Sequence, residues 1–350
     1  MNEGNLPLIR RLEEEHSLPS EDYERLLAGR DEETARLLAE QAVRLRQEIY
    51  GNSVYIRGLI EISNICRNDC LYCGIRRSNT RCRRYRLTPS QILACAEEGY
   101  GLGFRTFVLQ GGEDAWFTDT RLCSLIREIK ARWPDCAVTL SLGERSFESF
   151  RRLKEAGADR YLLRHETASP EHYARLHPPE MSFENRMRCL EDLRELGYQV
   201  GCGFMTGSPF QTVANLAEDL KFIERFRPDM CGIGPFIPHR DTPFRNEPAG
   251  TVDLTCYLLS IIRLIVPPVL LPATTALGTI HPLGRERGIQ AGANVVMPNL
   301  SPVSVRKKYE LYDNKICTGA ESAQNVSDLN RRMRSAGCEI VTDRGDVKMV

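Results

Sequence analysis

The chain has 350 residues, which is enough for two domains or for one large barrel, and length alone does not choose between them. Its 47 basic and 47 acidic residues cancel, which argues against a global field that would recruit nucleic acid or an anionic membrane. With 42% hydrophobic and 27% charged residues, the composition is that of an ordinary soluble globular protein.

The first part of the chain predicts a helical extension. Residues 6–49 are polar and rich in Leu, Glu and Arg at helical spacing, and SEDYERLL, from Ser20, has the composition of a capped helix start. Charges throughout this region leave no apolar core for a signal peptide. Residues 257–273 are the best candidate for a membrane span, but Arg263 and Pro267–Pro268 interrupt them. This pattern predicts a helix that stops at the two prolines and is followed by a buried strand. We therefore expect a cytoplasmic protein.

Eight apolar, β-prone segments follow, and patterns typical of amphipathic helices lie between them. The apolar segments span residues 54–63, 105–110, 137–142, 159–164, 198–204, 229–236, 269–274 and 293–299. Several of the intervening helices begin with Ser, Thr or Asp and end with Gly, as capped helices do. Eight such units over about 245 residues match a TIM-type (β/α)8 barrel in count and size, and a doubly wound open sheet is the competing α/β arrangement.

These elements divide the chain into three parts. We predict an N-terminal helical extension over residues 1–50, a (β/α)8 barrel over residues 51–300 and a C-terminal helical segment, residues 301–350, that closes the barrel. In a parallel barrel the active site lies at the carboxyl ends of the strands. Here those ends carry glycines and polar residues instead of bland turns, such as QGGED after the second strand and RHETA after the fourth. Their convergence on one rim indicates an enzyme.

Three cysteines follow the first predicted strand. Cys66, Cys70 and Cys73 are separated by three and two residues, and no fourth cysteine follows closely. Three thiolates on one loop can hold three corners of a cubane iron–sulfur cluster and leave one iron open to another ligand. The alternative is a zinc site in a non-catalytic scaffold, with Cys82 as the nearby fourth ligand, because the first histidine after the loop is the distant His165.

The stretch EISNICRNDCLYCGIRRSN resembles the signature of the radical S-adenosylmethionine (SAM) superfamily. The resemblance implies that SAM chelates the open iron of a 4Fe–4S cluster through its amino and carboxylate groups. An electron from the cluster would cleave SAM into methionine and a 5′-deoxyadenosyl radical. Arg186 would clamp the carboxylate, a glycine backbone would pair with the amine, and Glu166 would accept from ribose hydroxyls or the amine. The expected SAM-binding residues are Tyr72, Gly111, Gly112, Glu166 and Arg186.

Further segments narrow the resemblance. RYRLTP, TLSLGE, EAGADRYLLRHETA, SFENR, GIGPFIPH, PATTALGTI and GANVVMPN together resemble the HydE family, the radical-SAM maturases of iron-only (FeFe) hydrogenase, over roughly residues 50–318. That resemblance implies a small cysteine-bound iron complex carrying carbonyl and cyanide, supplied by a partner maturase. The radical would act on it during assembly of the hydrogenase's two-iron subcluster, with other maturases as transient partners and no role for nucleic acid or membrane.

The HydE resemblance also implies a substrate end of the cavity. Its expected residues are Ser141, Arg164, Thr274, Thr275, Tyr309 and Tyr312. Hydroxyls and a guanidinium suit an anionic, cyanide-bearing guest, since charge-assisted donors are strong in a dry cavity. The second enzyme reading is a radical-SAM mutase or sulfur-inserting enzyme of the methylornithine synthase or biotin synthase kind. Biotin synthase would need further cysteines deep in the barrel, for which Cys202 and Cys231 are the candidates.

Two features depart from the HydE pattern. Some HydE proteins carry a second cluster on C-terminal cysteines, but here only Cys317 is present before Cys338, so we expect a single cluster. Gly111–Gly112 stands where HydE proteins carry a serine–glycine pair. Six arginines between Arg76 and Arg86 are expected to pair with acidic residues and to draw an anionic substrate toward the mouth.

Overall fold

The computed structural model describes residues 4–317 and 321–349 of the chain. Residues 1–3 belong to the predicted N-terminal extension, and residues 318–320 and 350 belong to the predicted C-terminal segment. These residues lie outside the described part of the chain.

Short strands alternate with longer helices. The strands are β1 Ser53–Ile56, β2 Gly58–Ser63, β3 Thr106–Gly111, β4 Ala137–Ser141, β5 Arg160–Leu162, β6 Gln199–Cys202, β7 Met205–Thr206, β8 Met230–Cys231, β9 Gly234–Pro235, β10 Val295–Val296 and β11 Glu339–Val341. The helices are α1 Asn5–Glu15, α2 Ser20–Ala28, α3 Glu32–Tyr50, α4 Pro89–Gly101, α5 Asp119–Arg132, α6 Phe147–Glu155, α7 Pro170–Leu176, α8 Phe183–Glu195, α9 Val213–Phe226, α10 Val252–Ile265, α11 Thr275–Ile280, α12 Gly284–Gln290, α13 Val303–Arg306 and α14 Val326–Ser335, with a 3-10 turn at Ala323–Asn325.

The strands close into a barrel. Six of them form one parallel sheet in the order β2-β3-β4-β5-β6-β8. Beyond β8 the ring continues through parallel bridges from Met230 to Leu270 and from Pro272 to Val295, and it closes where Leu59 of β2 bridges Asn299. All eight predicted apolar segments therefore contribute to the ring, and the prediction of a TIM-type barrel is confirmed. The seventh segment contributes only isolated bridges, so it is not assigned as a strand.

The first apolar segment, which the pattern describes as a single strand, divides into two. The division falls at Arg57: β1 pairs with β10 and β11 in a small parallel sheet, whereas β2 enters the barrel beside β3. The Arg57 amide continues the first pairing by donating to the carbonyl of Val296 at 2.9 Å. The strand β11 lies within the predicted helical C-terminal segment, and with three residues it is too short to show a strand pattern.

The N-terminal helices cover the outside of the barrel. Helix α2 packs on α9, and α3 packs on α10. Helix α3 begins with a capping box in which the Thr34 amide donates to the Asp31 carboxylate at 2.8 Å. As the sequence predicts, a helix (α10) ends before the Pro267–Pro268 stop, and the next segment joins the ring. None of the helices formed by the described residues combines the length and apolarity that a bilayer crossing requires.

The C-terminal tail covers the amino ends of the strands. Arg160, the first residue of β5, is fully buried and donates to the Asp346 carboxylate at 2.5 Å and to the Arg344 carbonyl at 2.8 Å. The Arg344 guanidinium in turn contacts Asp159 at 3.0 Å and Asp346 at 2.9 Å. Gln199 of β6 donates to Asp346 at 2.8 Å. The tail thereby closes the end of the barrel opposite the carboxyl ends of the strands.

We expect Asp346→Asn to lower the free energy of unfolding by about 1–2 kcal/mol at neutral pH. This loss is smaller than that expected for breaking a fully buried ion pair, because the Asp346 side chain is 39% exposed. Burial alone would raise the pKa of Asp346, but Arg344 and Arg160 hold it below its ordinary value of 3.8. The stabilisation is therefore complete above about pH 5 and is lost as the pH falls through the folded pKa. Urea titrations should give a constant difference from wild type above about pH 5 that shrinks at lower pH.

The exposed Glu339 of β11 offers the control, since Glu339→Gln removes a carboxylate without an ion pair in the described chain. Equal losses in the two variants, or a difference that grows on acidification, would contradict a role for the Arg160–Asp346 pair.

Candidate active site

A cavity of about 350 Å³ lies at the carboxyl ends of the barrel strands. All fourteen residues that the sequence indicates for cluster, SAM or substrate contribute to its wall. They are Cys66, Cys70, Cys73, Tyr72, Gly111, Gly112, Glu166, Arg186, Ser141, Arg164, Thr274, Thr275, Tyr309 and Tyr312. The barrel thus brings together residues that lie up to 246 positions apart in the chain, the separation of Cys66 from Tyr312 (312 − 66).

The three cysteines lie on the loop after β2. This loop is held by polar contacts to its backbone: Arg84 donates to the carbonyls of Asn64 and Ile75 at 2.5 and 2.8 Å. Asp69 accepts from Arg76 at 2.8 Å and from the Ser78 amide at 2.9 Å. These hydrogen bonds satisfy backbone groups of an irregular loop and restrict its conformation.

The surroundings of the thiols fit a metal cluster. Burial raises the pKa of all three thiols, that of Cys70 to about 12 and that of Cys73 well above its ordinary value, with the neighbouring thiols as a further cause at Cys73. Such thiols keep their protons until a metal replaces them, which couples metal binding to proton release. One backbone donor is already aimed at this group, the Glu113 amide at 3.4 Å from Cys66 Sγ.

The described residues support a zinc site less well than an iron–sulfur cluster. Among residues 4–317 and 321–349, no three His, Cys, Asp or Glu side chains gather closely enough to hold one metal ion. Cys82 lies beside the Asn64 amide at 3.5 Å and lines a different cleft from the three clustered thiols. A cubane does not require a single convergence point, because each thiolate binds its own iron.

The glycine pair after β3 packs against the cysteine loop. A Cβ on Gly112 would clash with the Ile65 carbonyl and with Cys66, so glycine is required there for the two loops to approach. The Gly112 amide donates to the Ser63 carbonyl at 3.0 Å. A Cβ on Gly111 would meet Ser63 O at 3.2 Å, a tight contact that small shifts could relieve. From the sequence, these glycines are expected to let SAM approach the backbone closely. The structure adds a second reason, because they also let the two loops pack against each other.

The segment RHETA alternates between the cavity and the barrel wall. Arg164 and Glu166 face the cavity, and His165 between them is fully buried, with Nε2 3.1 Å from Asp219 Oδ1. Its Nδ1 accepts from the Gly203 amide at 3.3 Å, so Nε2 carries the proton and donates. Asp219 also accepts from the Ala168 amide at 2.6 Å, which fixes the turn after β5.

Glu166 combines two features of a functional residue. Its backbone has φ +67°, in the left-handed region that costs a non-glycine residue on the order of 1–3 kcal/mol. Its Oε2 is buried and has no hydrogen-bond partner among the described residues. An unsatisfied buried carboxylate oxygen on the cavity wall is suited to accept hydrogen bonds from a ligand.

Arg186, on α8, is buried beside the same part of the cavity. Its Nε donates to Glu144 Oε1 at 2.6 Å and its Nη1 donates to the Arg164 carbonyl at 2.6 Å. These bonds use two of the five N–H donors of a guanidinium. Burial alone would lower the pKa of Arg186, but Tyr173, Glu144 and Tyr72 raise it, so the group is a permanent cation. Its remaining donors are available to an anion in the cavity.

Tyr72 is positioned by residues that the sequence analysis did not identify. Its hydroxyl lies 3.2 Å from His177 Nε2, and the His177 ring stacks on Tyr173 with ring centres 3.9 Å apart. Burial lowers the pKa of His177 to about 3, so the ring is neutral. Its Nδ1 donates to the Tyr173 carbonyl at 3.0 Å, which leaves Nε2 to accept from Tyr72. Nothing in the local sequence distinguishes His177 from an ordinary core histidine.

The cavity wall also carries a free cation and hydroxyls. The Arg164 guanidinium makes no hydrogen bond or ion pair within the described chain. The Thr274 hydroxyl is buried and likewise has no partner there. Thr275 contacts Glu321 at 3.4 Å, and Tyr309 accepts from the Gln110 amide at 3.4 Å. The wall therefore offers a positive charge at Arg164 and an uncommitted hydroxyl group at Thr274.

A buried ion pair crosses the cavity wall and was also missed by the sequence analysis. Glu61, fully buried on β2, pairs with Lys315 and accepts from Asn299 at 2.9 Å. Lys315 donates further to the Tyr309 carbonyl at 3.1 Å. The pair ties the segment that carries Tyr309 and Tyr312 to the barrel. The available signal was a glutamate inside a strand that is otherwise entirely apolar apart from its terminal serine.

Comparison with known proteins decides the family. The pattern of the Radical SAM superfamily matches residues 60–223. The "[FeFe] hydrogenase maturase subunit HydE" of Thermotoga maritima is 46% identical over 313 residues, which cover 89% of this chain and 89% of that protein. The chain belongs to the HydE family. The resemblance drawn from the sequence segments is thereby confirmed, and the chain is a radical-SAM enzyme, for which the superfamily implies a 4Fe–4S cluster and SAM.

Solved structures agree with the fold of this HydE family member. A methylornithine synthase (PylB) superposes with a TM-score of 0.81 at 25% identity, covering 95% of this chain and 97% of that one. HydG, "a maturase of the [FeFe]-hydrogenase", superposes with a TM-score of 0.80 at 20% identity and covers 97% and 76% of the two chains. At these sequence identities, the similarity to the two structures is a similarity of fold, which includes the barrel and its extensions.

Three of the cysteines outside the loop concern the possibility of a second cluster in this HydE family member. Cys317 is buried, and the three residues after it lie outside the described part. Cys202 and Cys231 are neighbours across β6 and β8, are fully buried and do not line the cavity. They offer no ligand set for the auxiliary cluster that a biotin synthase reading requires.

Proposed function

We propose that this enzyme acts on a small cysteine-bound iron complex carrying carbonyl and cyanide during assembly of the two-iron subcluster of FeFe hydrogenase. A partner maturase supplies that complex, and Cys66, Cys70 and Cys73 hold the single 4Fe–4S cluster. The observation that carries the proposal is one continuous cavity whose wall includes three partly buried thiols and an unpaired guanidinium. The 46% identity to a named hydrogenase maturase supports the same assignment.

The residues present fit the cofactors. When bound, the cluster and SAM supply the chemistry: one-electron cleavage of the sulfonium to methionine and a 5′-deoxyadenosyl radical. Arg186 offers uncommitted donors for the SAM carboxylate, and Glu166 offers an unpaired carboxylate oxygen for ribose hydroxyls or the amine. Tyr72, held by His177, forms the aromatic part of this wall. The enclosing barrel keeps water from the reactive carbon.

The substrate end favours an anionic guest. Lys315 is already neutralised by Glu61, so Arg164 is the cation free to bind the negative charge of a cyanide-bearing iron complex or its cysteine carboxylate. Thr274, Ser141 and the tyrosines add hydroxyl donors around it. A guest held at Arg164 would lie in the same cavity as the three thiols that would hold the cluster.

A second candidate is a radical-SAM mutase acting on an amino acid. It is favoured by the likeness to a methylornithine synthase at a TM-score of 0.81 and 25% identity. A free guanidinium could equally bind an amino-acid carboxylate. Incubation with lysine and SAM under reducing conditions tests it: methylornithine formation would establish the mutase and remove the maturase proposal.

The direct test of the maturase proposal is an in-vitro hydrogenase maturation mixture lacking this protein. We expect no active hydrogenase without it and recovery on its addition. Full hydrogenase activity in its absence would refute the proposal.

Arg164→Met is expected to lower hydrogenase maturation about 100-fold or more, because two charge-assisted hydrogen bonds of about 1.5–3 kcal/mol each are lost. SAM binding should stay near wild type, since Arg186 uses the backbone carbonyl of residue 164 and not its side chain. Arg164→Lys, which keeps the charge without the planar fork, should recover part of the activity. Wild-type maturation by Arg164→Met would exclude this residue from substrate binding.

A further inference from the structure

A second cleft, of about 300 Å³, lies on the outer surface beside the cysteine loop. We name it the basic cleft after four of its residues, Arg81, Arg83, Lys307 and Lys308. Its wall combines the stretch after the cysteines with the C-terminal segment that carries Tyr309 and Tyr312. The cleft is therefore separate from the substrate cavity but shares a wall with it.

The charge of the basic cleft is only partly compensated. Arg81 pairs with Asp241 at 2.9 Å, and the neighbouring Arg240 pairs with Glu310 at 3.0 Å. Arg83, Lys307 and Lys308 form no ion pair within residues 4–317 and 321–349, and Arg83 and Lys307 are exposed. Three free cations on one side of a chain with zero net charge form a local positive field.

The arginine run predicted to pair with acidic residues does so at most positions. Ion pairs join Arg76 to Asp69, Arg77 to Glu180, Arg81 to Asp241 and Arg86 to Asp114, and Arg84 bonds backbone carbonyls. Arg83 is the exception, and its side chain faces the basic cleft. The uncompensated charge is therefore a property of this cleft and not of the whole run.

The basic cleft reaches the cysteine loop directly. Gly74, which follows Cys73, lines it and donates to the Leu311 carbonyl at 2.8 Å. A Cβ at Gly74 would clash with the Glu310 carbonyl and with His239, so glycine is needed for this close packing. A protein seated in the cleft would be separated from Cys73 by about one residue of backbone.

We propose that the basic cleft is the docking site of an acidic one-electron donor protein that reduces the cluster. The inference rests on the proposed attachment of that cluster to Cys66, Cys70 and Cys73. One electron leaves the reduced donor and enters the cluster, the donor is oxidised by one unit, and no bond or proton changes place. Opposite charge speeds encounter and orients the donor, with a strong dependence on salt.

The test uses the full-length protein with its cluster reconstituted, and a plant-type [2Fe–2S] ferredoxin, an acidic low-potential donor, as the probe. The variant is the triple charge reversal Arg83→Glu, Lys307→Glu, Lys308→Glu. The matched control reverses Arg10, Arg127 and Arg225, which are exposed, form no ion pair in the described chain and lie on α1, α5 and α9. Binding is measured by calorimetry at low and high salt, and cluster reduction by rapid-freeze EPR.

We expect the basic-cleft variant to bind ferredoxin at least tenfold more weakly at low salt, to lose most of the salt dependence and to accept electrons at least tenfold more slowly. Reduction by dithionite, which needs no docking, and SAM binding should be unchanged, and the control triple should behave as wild type. Wild-type binding and reduction by the basic-cleft variant, or equal losses in the control, would overturn the proposal. Ferredoxin binding is measured without cluster turnover and without substrate. If the cluster or substrate assignment is wrong, ferredoxin should therefore still bind to the wild type, but the binding should not lead to a productive reaction.

Discussion

Cys70→Ser is expected to abolish both iron binding and SAM cleavage. After anaerobic reconstitution the wild type should hold about four irons per chain, the content of one cubane, whereas the variant should hold less than about one. Serine keeps the size of the side chain but offers no soft thiolate ligand. Burial raises the pKa of the Cys70 thiol to about 12, so the site depends on metal charge to ionise it, and a serine hydroxyl would be harder still to ionise. Iron content, the visible spectrum and deoxyadenosine released with dithionite and SAM measure the result.

Cys82→Ser is the matched control, because Cys82 is partly buried near the same loop but lines the basic cleft. It should bind iron and cleave SAM as the wild type does. One zinc per chain that is lost in Cys82→Ser would instead support the scaffold reading. Wild-type iron content in Cys70→Ser would remove the thiol from the ligand set and with it the proposed open iron.

The sequence was most informative where periodicity and barrel geometry act together. Each predicted apolar segment enters the ring, since eight buried parallel segments separated by amphipathic helices have few other ways to bury their surfaces. Residues following those segments then meet on one rim, which is why Glu166 and Thr274, 108 positions apart (274 − 166), share a cavity. That convergence required no knowledge of side-chain contacts.

The sequence was least informative about partners that support the cavity wall. Glu144 holds Arg186 at 2.6 Å and His177 holds Tyr72 at 3.2 Å, but the sequence analysis assigned neither residue this role, although Glu144 ends the quoted segment TLSLGE. The Glu61–Lys315 pair joins residues 254 positions apart (315 − 61) through the closure of the barrel. The strand β11 has only three residues, which is too few to show the alternating pattern that predicts a strand. Tertiary contacts, and not local propensity, decide these features.

Arg186→Ala is expected to weaken SAM binding about 100-fold or more. A guanidinium that grips a carboxylate with two charge-assisted hydrogen bonds contributes about 1.5–3 kcal/mol for each of them. The substitution also leaves Glu144, only 13% exposed, without the cation that it faces at 2.6 Å. An unpaired buried carboxylate repels the SAM carboxylate and destabilises the fold. Calorimetry of SAM binding to the reconstituted enzyme, with iron content measured in parallel, separates these effects.

Two further variants keep that experiment decisive. Arg186→Lys retains a cation beside Glu144, so the fold should be preserved, but it lacks the planar fork and should still bind SAM at least tenfold more weakly. Arg188→Ala, on the same helix, removes an exposed arginine whose surface pair with Asp192 contributes only about 0.3–0.5 kcal/mol. Arg188→Ala should therefore bind SAM as the wild type does. If Arg186→Lys bound SAM with unchanged affinity while Arg186→Ala lost both iron and fold, Arg186 would be a support of the barrel wall and not a ligand of SAM.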